Sequence, residues 1–309
     1  MEKILSCCLV VFIFLCGNVA NAAEENNVKY GFEQVDRINV FYREAGSPEK
    51  PNLILLHGFP SSSHMFREMI PLLEKDFHVV AMDYPGFGQT DMPSRGTFHY
   101  TFDNLAAVVD KFLEQKAINT YYLYVFDYGA PIGFRIAIKH PERIKGIISQ
   151  NGNIYQEGLG EKWAKRAEYW AHPTKTLREQ YKSAFARETI IGQYTFGTEA
   201  GKVGPDGYEL DIHYSQRPGY DEVQSDLIFD YQSNVQKYPM FQQYLRDHQP
   251  PLLAVWGKND PSFIHQGAEA FRKDLPKAEI HFVDSGHFAT ETHAVEIAGY
   301  IRDFVKKQE

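Results

Sequence analysis

Residues 122–133 constrain the fold of this chain more than any other stretch. An uninterrupted apolar and aromatic run leads up to Asp127, as in a buried strand, and a helical apolar pattern follows it and ends before Pro141. A carboxylate therefore lies on a sharp strand-to-helix turn, where Gly129 allows the helix to pack closely against the strand. Two interpretations fit this stretch alone: Asp127 is a nucleophile on an exposed turn, or it caps the helix that follows.

The first 22 residues have the pattern of a secretory signal peptide. A short charged start precedes an apolar run from Ile4 to Leu15, and Ala20-Asn21-Ala22 forms a small-x-small cleavage site. A membrane anchor is the alternative, but the run is short for a spanning helix and lacks a basic flank on its far side. We expect cleavage after residue 22, export to the periplasm or the medium, and no membrane association afterwards.

Cysteine usage and charge limit the classes of ligand. All three cysteines lie within the predicted signal peptide, so the mature protein has neither disulfides nor thiolate metal sites. The net charge of -8 argues against nucleic acid or an anionic membrane as a partner. We expect a small, neutral or weakly charged molecule as the substrate. The sequence does not indicate an oligomeric state.

Most of the chain alternates apolar strand runs with amphipathic helices, which predicts an α/β fold with a mostly parallel sheet. Two antiparallel strands are predicted within residues 28–48, and further strands at 52–56, 79–82, 122–126, 144–148, 252–256 and 280–283. Helices are predicted at 65–73, 101–115, 268–275 and 291–305. The alternation stops over residues 154–248, where helical stretches are expected around 163–170 and 221–244. We therefore predict a core of residues 28–153 and 249–309 that carries an inserted helical cap, residues 154–248.

Several polar or glycine-rich positions come directly after predicted parallel strands: Gly58-Phe59, Asp127, Asn151, Asp260 and His287. Right-handed crossovers bring the carboxyl ends of all such strands to one edge of the sheet, where ligands bind in open α/β folds. The sequence therefore predicts that these residues share one site.

Five segments resemble the motifs of the α/β-hydrolase superfamily, and together they span nearly all of the mature chain. They are His57-Gly58-Phe59-Pro60, Tyr84-Pro85-Gly86-Phe87-Gly88, Val125-Phe126-Asp127-Tyr128-Gly129, Gly257-Lys258-Asn259-Asp260-Pro261 and Gly286-His287-Phe288. An aspartate at the nucleophile position resembles the branch that contains epoxide hydrolases, haloalkane dehalogenases and fluoroacetate dehalogenases. The resemblance implies an α/β-hydrolase fold and an enzyme that needs neither a metal nor an organic cofactor.

The resemblance also assigns roles to individual residues. Asp127 would attack a saturated carbon and form an alkyl ester, and His287 would activate the water that hydrolyses this ester. Asp260 would orient the imidazole, with Asp284 as a rival acid only three residues before the histidine. The N–H groups of Phe59 and Tyr128 would form the oxyanion hole. We expect His57 to support the loop rather than to take part in the chemistry.

The leaving group distinguishes the candidate activities. Opening an epoxide requires an acidic donor above the nucleophile, and Asp230-Tyr231-Gln232-Ser233-Asn234 resembles a cap motif that supplies one such tyrosine. Where epoxide hydrolases carry a second cap tyrosine, this chain has Arg166. Tyr169, one helical turn further on, is our candidate for the second donor, with His172 as an alternative.

The residue after the nucleophile is Tyr128, where haloalkane dehalogenases have a halide-binding tryptophan and fluoroacetate dehalogenases have an arginine. We therefore expect an epoxide hydrolase that produces vicinal diols, with haloalkane or haloacid dehalogenation as the alternative. A non-catalytic exported binding protein is the alternative from another class. The intact Asp127, Asp260 and His287 set argues against it, because a chain without turnover has no chemical need for all three.

Overall fold

The computed structural model describes residues 27–308. Eight strands form one sheet in the order β1-β2-β4-β3-β5-β6-β7-β8. Their bounds are β1 Lys29–Val35, β2 Ile38–Ala45, β3 Asn52–Leu56, β4 His78–Met82, β5 Tyr121–Phe126, β6 Ile144–Gln150, β7 Leu252–Gly257 and β8 Glu279–Val283. β1 pairs with β2, and β2 with β4, in antiparallel register, whereas every pairing from β4 to β8 is parallel. The predicted mostly parallel sheet is confirmed.

The described part of the chain contains ten α-helices. They are α1 Met69–Leu73, α2 Phe102–Gln115, α3 Gly129–Lys139, α4 Lys162–Ala171, α5 Lys175–Tyr181, α6 Arg187–Thr195, α7 Pro205–Ser215, α8 Tyr220–His248, α9 Gln266–Ala270 and α10 Thr290–Lys306. Short 3-10 helices occur at Ser63–Phe66, Pro141–Arg143, Gln156–Gly158, Lys182–Phe185 and Phe271–Lys273. None of the helices described is long and apolar enough to cross a membrane.

Apolar side chains pack against both faces of the sheet. The central strands β4, β5 and β7 are buried along their whole length, which explains why their sequences are apolar without alternation. Helices α2, α3 and α8 contribute to the hydrophobic core on one face, and α1 and α10 contribute to the core on the other. This two-sided burial holds the carboxyl ends of the parallel strands together at one edge.

The structure differs from the sequence-based prediction in the segment 65–73. One helix was expected there, but a 3-10 helix over Ser63–Phe66 is followed by the separate short helix α1. Pro71 gives the physical reason: in a continuous helix its ring would clash with the carbonyl group of Arg67, four residues earlier. The predicted helix 268–275 is likewise replaced by α9 and a following 3-10 turn.

Five helices, α4 to α8, lie between β6 and β7, in the part of the chain predicted to form the cap. Only the regions of α4 and α8 were expected from the sequence; α5, α6 and α7 were missed because they lack a clear amphipathic period. The longest helix, α8, has 29 residues and contributes buried side chains to the hydrophobic core. The predicted signal peptide lies outside the described residues.

Candidate active site

Asp127 lies on the turn between β5 and α3 with a backbone φ angle of 47°, a left-handed conformation that few non-glycine residues adopt. Two glycines make room for this turn. A Cβ atom on Gly129 would lie 2.3 Å from the carbonyl oxygen of Leu56, and one on Gly58 would lie 2.3 Å from the Cβ of Asp127. Larger residues at either position would displace the carboxylate from the edge of the sheet.

The carboxylate of Asp127 is held by the two predicted oxyanion-hole amides. Its Oδ1 atom accepts hydrogen bonds from the N–H of Phe59 at 2.9 Å and the N–H of Tyr128 at 2.6 Å. No side chain caps the start of helix α3. The carboxylate therefore turns toward the Phe59 loop instead of serving as the helix cap that the sequence alone also permitted.

His287 lies between the two predicted catalytic carboxylates. Its Nε2 atom is 3.6 Å from Oδ2 of Asp127, and its Nδ1 atom is 2.6 Å from Oδ2 of Asp260. The rival acid Asp284 is exposed and bonds instead to Asn259 and Lys258. The structure thus brings Asp127, His287 and Asp260 together and leaves Asp284 outside the site.

Asn151 holds Asp260 in place. Its Nδ2 group donates to Oδ2 of Asp260 at 2.8 Å, while its Oδ1 atom accepts from the N–H of Gly257 at 2.9 Å. The N–H of Ser262 binds the other oxygen of Asp260 at 2.6 Å. The sequence placed Asn151 at the edge of the sheet but gave it no role; its position directly after β6 was the only signal.

The charges around His287 favour the imidazolium form. Burial by itself lowers its pKa, but the charge of Asp260, the hydrogen bond to Asp260 and the nearby carboxylate of Asp127 outweigh burial and raise it to about 9. Part of this effect comes from Asp127, so conversion of Asp127 to a neutral ester would lower the pKa of His287. Such a histidine can act as a base after the first step of an ester mechanism.

His57 supports the loop that carries Phe59. Its Nε2 atom accepts from the N–H of Tyr84 at 3.3 Å, and its ring stacks on the Tyr84 ring at 4.0 Å. Its Nδ1 atom lies 3.1 Å from the carbonyl oxygen of Gly58. Burial lowers the pKa of His57 to about 3, so this ring is neutral. These contacts are structural and leave no ring nitrogen free for chemistry.

A cavity of about 490 Å³ opens above Asp127. Phe59, Asp127 and Tyr128 line its floor, and helices α4, α5 and α6 with the turn before α6 line its walls. The residues of the predicted cap that line it are Lys162, Trp163, Lys165, Arg166, Glu168, Leu177, Gln180, Tyr181, Ser183, Ala184, Thr189 and Gln193. The volume suits a small organic molecule. Sequence reasoning missed the two cations Lys162 and Lys165, because solvated charges on a helix carry no signal of their own.

Tyr231 is fully buried on α8, just behind the cavity floor. Its ring centroid lies 5.7 Å from that of Tyr128 and 4.6 Å from that of Trp163. The hydroxyl group of Tyr128 has no hydrogen-bond partner among the described residues. The hydroxyl of Tyr231 has none within hydrogen-bond geometry either, although it lies close enough to the hydroxyl of Tyr238 to interact with it. Burial, with smaller contributions from Tyr238 and Asp127, raises the pKa of Tyr231 well above its ordinary value. Both phenols therefore keep protons that they can donate.

The structure does not bring Tyr169 to the cavity. It is buried on α4 with its ring 5.0 Å from that of Tyr181 and 5.5 Å from that of Phe229. Arg166, one turn earlier on the same helix, lines the cavity instead. His172 is exposed at the end of α4. Neither candidate for the second donor is among the residues that line the cavity, because Tyr169 packs against Tyr181 and Phe229 and His172 lies at the exposed end of the helix.

One group of possible metal ligands occurs among residues 27–308. Single ligand atoms of Asp110, Glu114 and His140 lie within 4.8 Å of one another. Asp110 already pairs with Lys139 at 2.7 Å and Arg143 at 3.3 Å, and Glu114 pairs with Arg143 at 3.4 Å. These cations neutralise the carboxylates, and the group is an ion-pair network of α2 with the end of α3.

Comparison with known proteins agrees with this geometry. The family model described as alpha/beta hydrolase fold matches residues 51–294. The chain is 44% identical over 268 residues to the uncharacterized hydrolase YNR064C of Saccharomyces cerevisiae. This alignment covers 85% of this chain and 92% of the relative. It is 34% identical over 282 residues to a haloalkane dehalogenase of Psychrobacter cryohalolentis, and the alignment covers 87% of this chain and 88% of the relative.

A solved structure gives the same result for the fold. The haloalkane dehalogenase DbeA of Bradyrhizobium elkani USDA94 superimposes with a TM-score of 0.74 at 20% identity, over 91% of this chain and 99% of that one. Fold, site geometry and sequence matches therefore agree, and the chain belongs to the α/β-hydrolase family and is a hydrolase that acts on small molecules.

Proposed function

We propose that this hydrolase opens epoxides to vicinal diols through a covalent ester on Asp127. One observation carries the choice of leaving group: Tyr128, directly after the nucleophile, lines the cavity with an unpartnered phenol hydroxyl, whereas the indole N–H groups are all occupied. Each of the three tryptophans donates to a main-chain carbonyl, Trp163 to Ser262 at 2.8 Å, Trp170 to Ile228 at 3.1 Å and Trp256 to Phe263 at 2.7 Å.

The leaving group explains why this distinction matters. An epoxide oxygen leaves as an alkoxide and needs a proton, which a protonated phenol supplies. A halide needs hydrogen-bond donors but no proton, and a tryptophan N–H committed to a carbonyl cannot supply one. The unpartnered hydroxyl of Tyr128 in the cavity lining, with the buried phenol of Tyr231 behind it, therefore supports epoxide opening.

The first step follows from the arrangement of Asp127. Its Oδ2 atom attacks an epoxide carbon, the carbon–oxygen bond breaks, and the alkoxide takes a proton from Tyr231 or Tyr128. The Oδ1 atom remains in the oxyanion hole. A serine in this position would form an inert ether, whereas the alkyl ester of Asp127 still has a carbonyl carbon that water can attack.

The second step uses His287 and Asp260. The Nε2 atom of His287 takes a proton from the attacking water, and Asp260 stabilises the imidazolium through Nδ1. Negative charge develops on Oδ1 of Asp127, where the N–H groups of Phe59 and Tyr128 receive it. The intermediate then collapses: the bond from the former ester oxygen to the Asp127 carboxyl carbon breaks, and this oxygen takes the proton from His287, which releases the diol. The Asp127 carboxyl group finally gives its proton to the phenolate, so that both side chains return to their starting states.

Haloalkane dehalogenation is the second candidate, and the sequence similarity favours it. The 34% identical relative from Psychrobacter cryohalolentis carries that name. The same Asp127, His287 and Asp260 would serve for displacement of a halide, so only the donors distinguish the two reactions.

One assay compares both candidates. The purified protein is incubated with styrene-type epoxides, haloalkanes and haloacids, and the release of diol and halide is followed. We expect diol from the epoxides and little halide. A single turnover in heavy-oxygen water should place label in Asp127, detected by mass spectrometry of its peptide, and Asp127→Asn should abolish turnover in a folded protein. Halide release without diol formation would establish dehalogenation instead.

We also propose that the protein is exported after removal of residues 1–22. The apolar run from Ile4 to Leu15 and the Ala20-Asn21-Ala22 site support this proposal. Mass spectrometry of the N-terminal peptide of protein recovered outside the cytoplasm tests it: a mature chain that begins at Ala23 is expected, and retention of Met1 would contradict it.

A further inference from the structure

Helix α4 presents two cations to the cavity above Asp127. Lys162 and Arg166 are four residues apart, so they lie one above the other on the same face of the helix, and both line the cavity. Neither has a carboxylate within 4.0 Å among the described residues, although most other arginines of the chain are paired. This placement needs an explanation, because like charges at this spacing repel each other.

The guanidinium group of Arg166 is held in a defined position. Its central carbon lies 4.4 Å from the centroid of the Trp163 ring, in a cation–π contact. Trp163 is in turn anchored by its indole N–H to the carbonyl of Ser262, whose own N–H binds Asp260. Stacking engages the face of the guanidinium and leaves its edge N–H groups available to a ligand.

The local charge of the cavity differs from that of the whole chain. Although the protein carries a net charge of -8, Lys162, Lys165 and Arg166 all line the cavity above the nucleophile. The carboxylates in the lining are Asp127, which the oxyanion-hole amides and His287 hold, and Glu168. Glu168, Lys162 and Lys165 are exposed, whereas Arg166 is half-buried, so the three cations of the lining outnumber its one free carboxylate. Partial desolvation and the neighbouring charge of Arg166 lower the pKa of Lys162, an effect that a bound anion would reverse.

We propose that the cavity binds substrates that carry a carboxylate, with Arg166 and Lys162 as the residues that recognise it. Arg166 receives the carboxylate through its edge N–H groups, and Lys162 adds a second charge one turn away. The reactive carbon then lies at the floor, against Oδ2 of Asp127. The inference rests on the proposed epoxide opening for its chemistry, and within the neutral or weakly charged substrates that the overall charge suggested it selects those with one negative charge.

This arrangement would also assist the reaction. The carboxylate would bind at a distance from the reacting carbon, and its binding energy would hold the epoxide against the nucleophile. Less translational and rotational entropy then has to be lost in the attack itself. The cations lie on the cap and Asp127 on the core, so a substrate of this kind would contact both parts of the fold.

A binding experiment tests the recognition step without any turnover. The probes are 3-phenylpropanoate and its amide, which have the same shape and differ in charge, and their affinities are measured by calorimetry. We expect the carboxylate to bind about tenfold more tightly than the amide, with a preference that falls as salt is added. The double variant Lys162→Met and Arg166→Met should lose this preference, and the exposed Lys175→Met, which does not line the cavity, should keep it.

Turnover separates this inference from the proposed function. A styrene-type epoxide with a carboxylate and its matched amide are compared: the carboxylate should have an about tenfold lower KM, and Arg166→Met should raise that KM with little change in kcat. Arg166→Lys should restore part of the lower KM for the carboxylate.

Equal affinity of the two probes, or a preference that survives in the double variant, would overturn the inference even if epoxides are opened. A carboxylate preference without diol formation would support it and refute the epoxide hydrolase.

Discussion

Oδ2 of Asp260 accepts two hydrogen bonds, from Nδ1 of His287 at 2.6 Å and from Asn151 at 2.8 Å. Asn151 lies at the end of β6 and His287 lies after β8, so Asp260 links two distant parts of the chain. The amide of Asn151, together with the N–H of Ser262, holds the carboxylate that orients the imidazole.

We expect Asn151→Asp to impair the proposed ester hydrolysis. The substitution keeps the shape of the side chain and its acceptor for the N–H of Gly257, but it places a second negative charge against Asp260. The rate of the second step should fall by about 10- to 100-fold, and its pH dependence should shift upward because the imidazolium of His287 gains stability. Single-turnover kinetics over a pH series would measure both effects, and an unchanged pH profile would contradict this role for Asn151.

His287→Gln should trap the proposed covalent intermediate. The first step requires Asp127 and a phenol but no base, so the ester should form and then persist. Intact-protein mass spectrometry after incubation with an epoxide should show the added mass of the whole substrate, and tryptic peptides should place it on Asp127. Full activity with no adduct would show that His287 is not the base. Asp127→Asn, which cannot form the ester, is the matched control.

Tyr231→Phe should slow epoxide opening by about 10- to 1,000-fold, because it removes a phenol proton beside the nucleophile while keeping the ring. Tyr121→Phe is the matched control. Tyr121 is also a fully buried tyrosine with an unpartnered hydroxyl, but it lies at the opposite end of β5 from Asp127. Burst kinetics of alkyl-enzyme formation would compare the two. Similar rates for both variants would assign the proton to Tyr128 or to another donor.

The stability of the protein should depend on the charge of His287. Its folded pKa of about 9 lies above the ordinary 6.5, so protonation favours the folded state. This contribution is fully present below pH 6.5 and is lost as the pH rises through about 9. Urea unfolding between pH 6 and 10 should show a steeper loss of stability for the wild type than for His287→Gln. Parallel curves would contradict the shifted pKa.

Local sequence patterns were sufficient for the core of this fold. The continuous apolar runs predicted a parallel sheet buried on both faces, and the strand ends predicted that Asp127, Asp260 and His287 would meet at one edge. These predictions succeed because strand periodicity and crossover handedness act over short stretches of chain. Gly129 is a clear case: the 2.3 Å contact that a Cβ would make with Leu56 explains the glycine seen in the sequence.

The tertiary structure alone decided the composition of the cavity. Tyr169 and Arg166 are three residues apart on one helix, yet only Arg166 faces the cavity, because the packing of α4 against Tyr181 and Phe229 sets the rotation of that helix. The partners of the tryptophan N–H groups and the role of Asn151 likewise depend on contacts between residues far apart in sequence. Such contacts leave no periodic signal. The sequence by itself therefore determined the sheet and the order of the reacting groups, and the long-range packing of the cap determined which donors and charges face them.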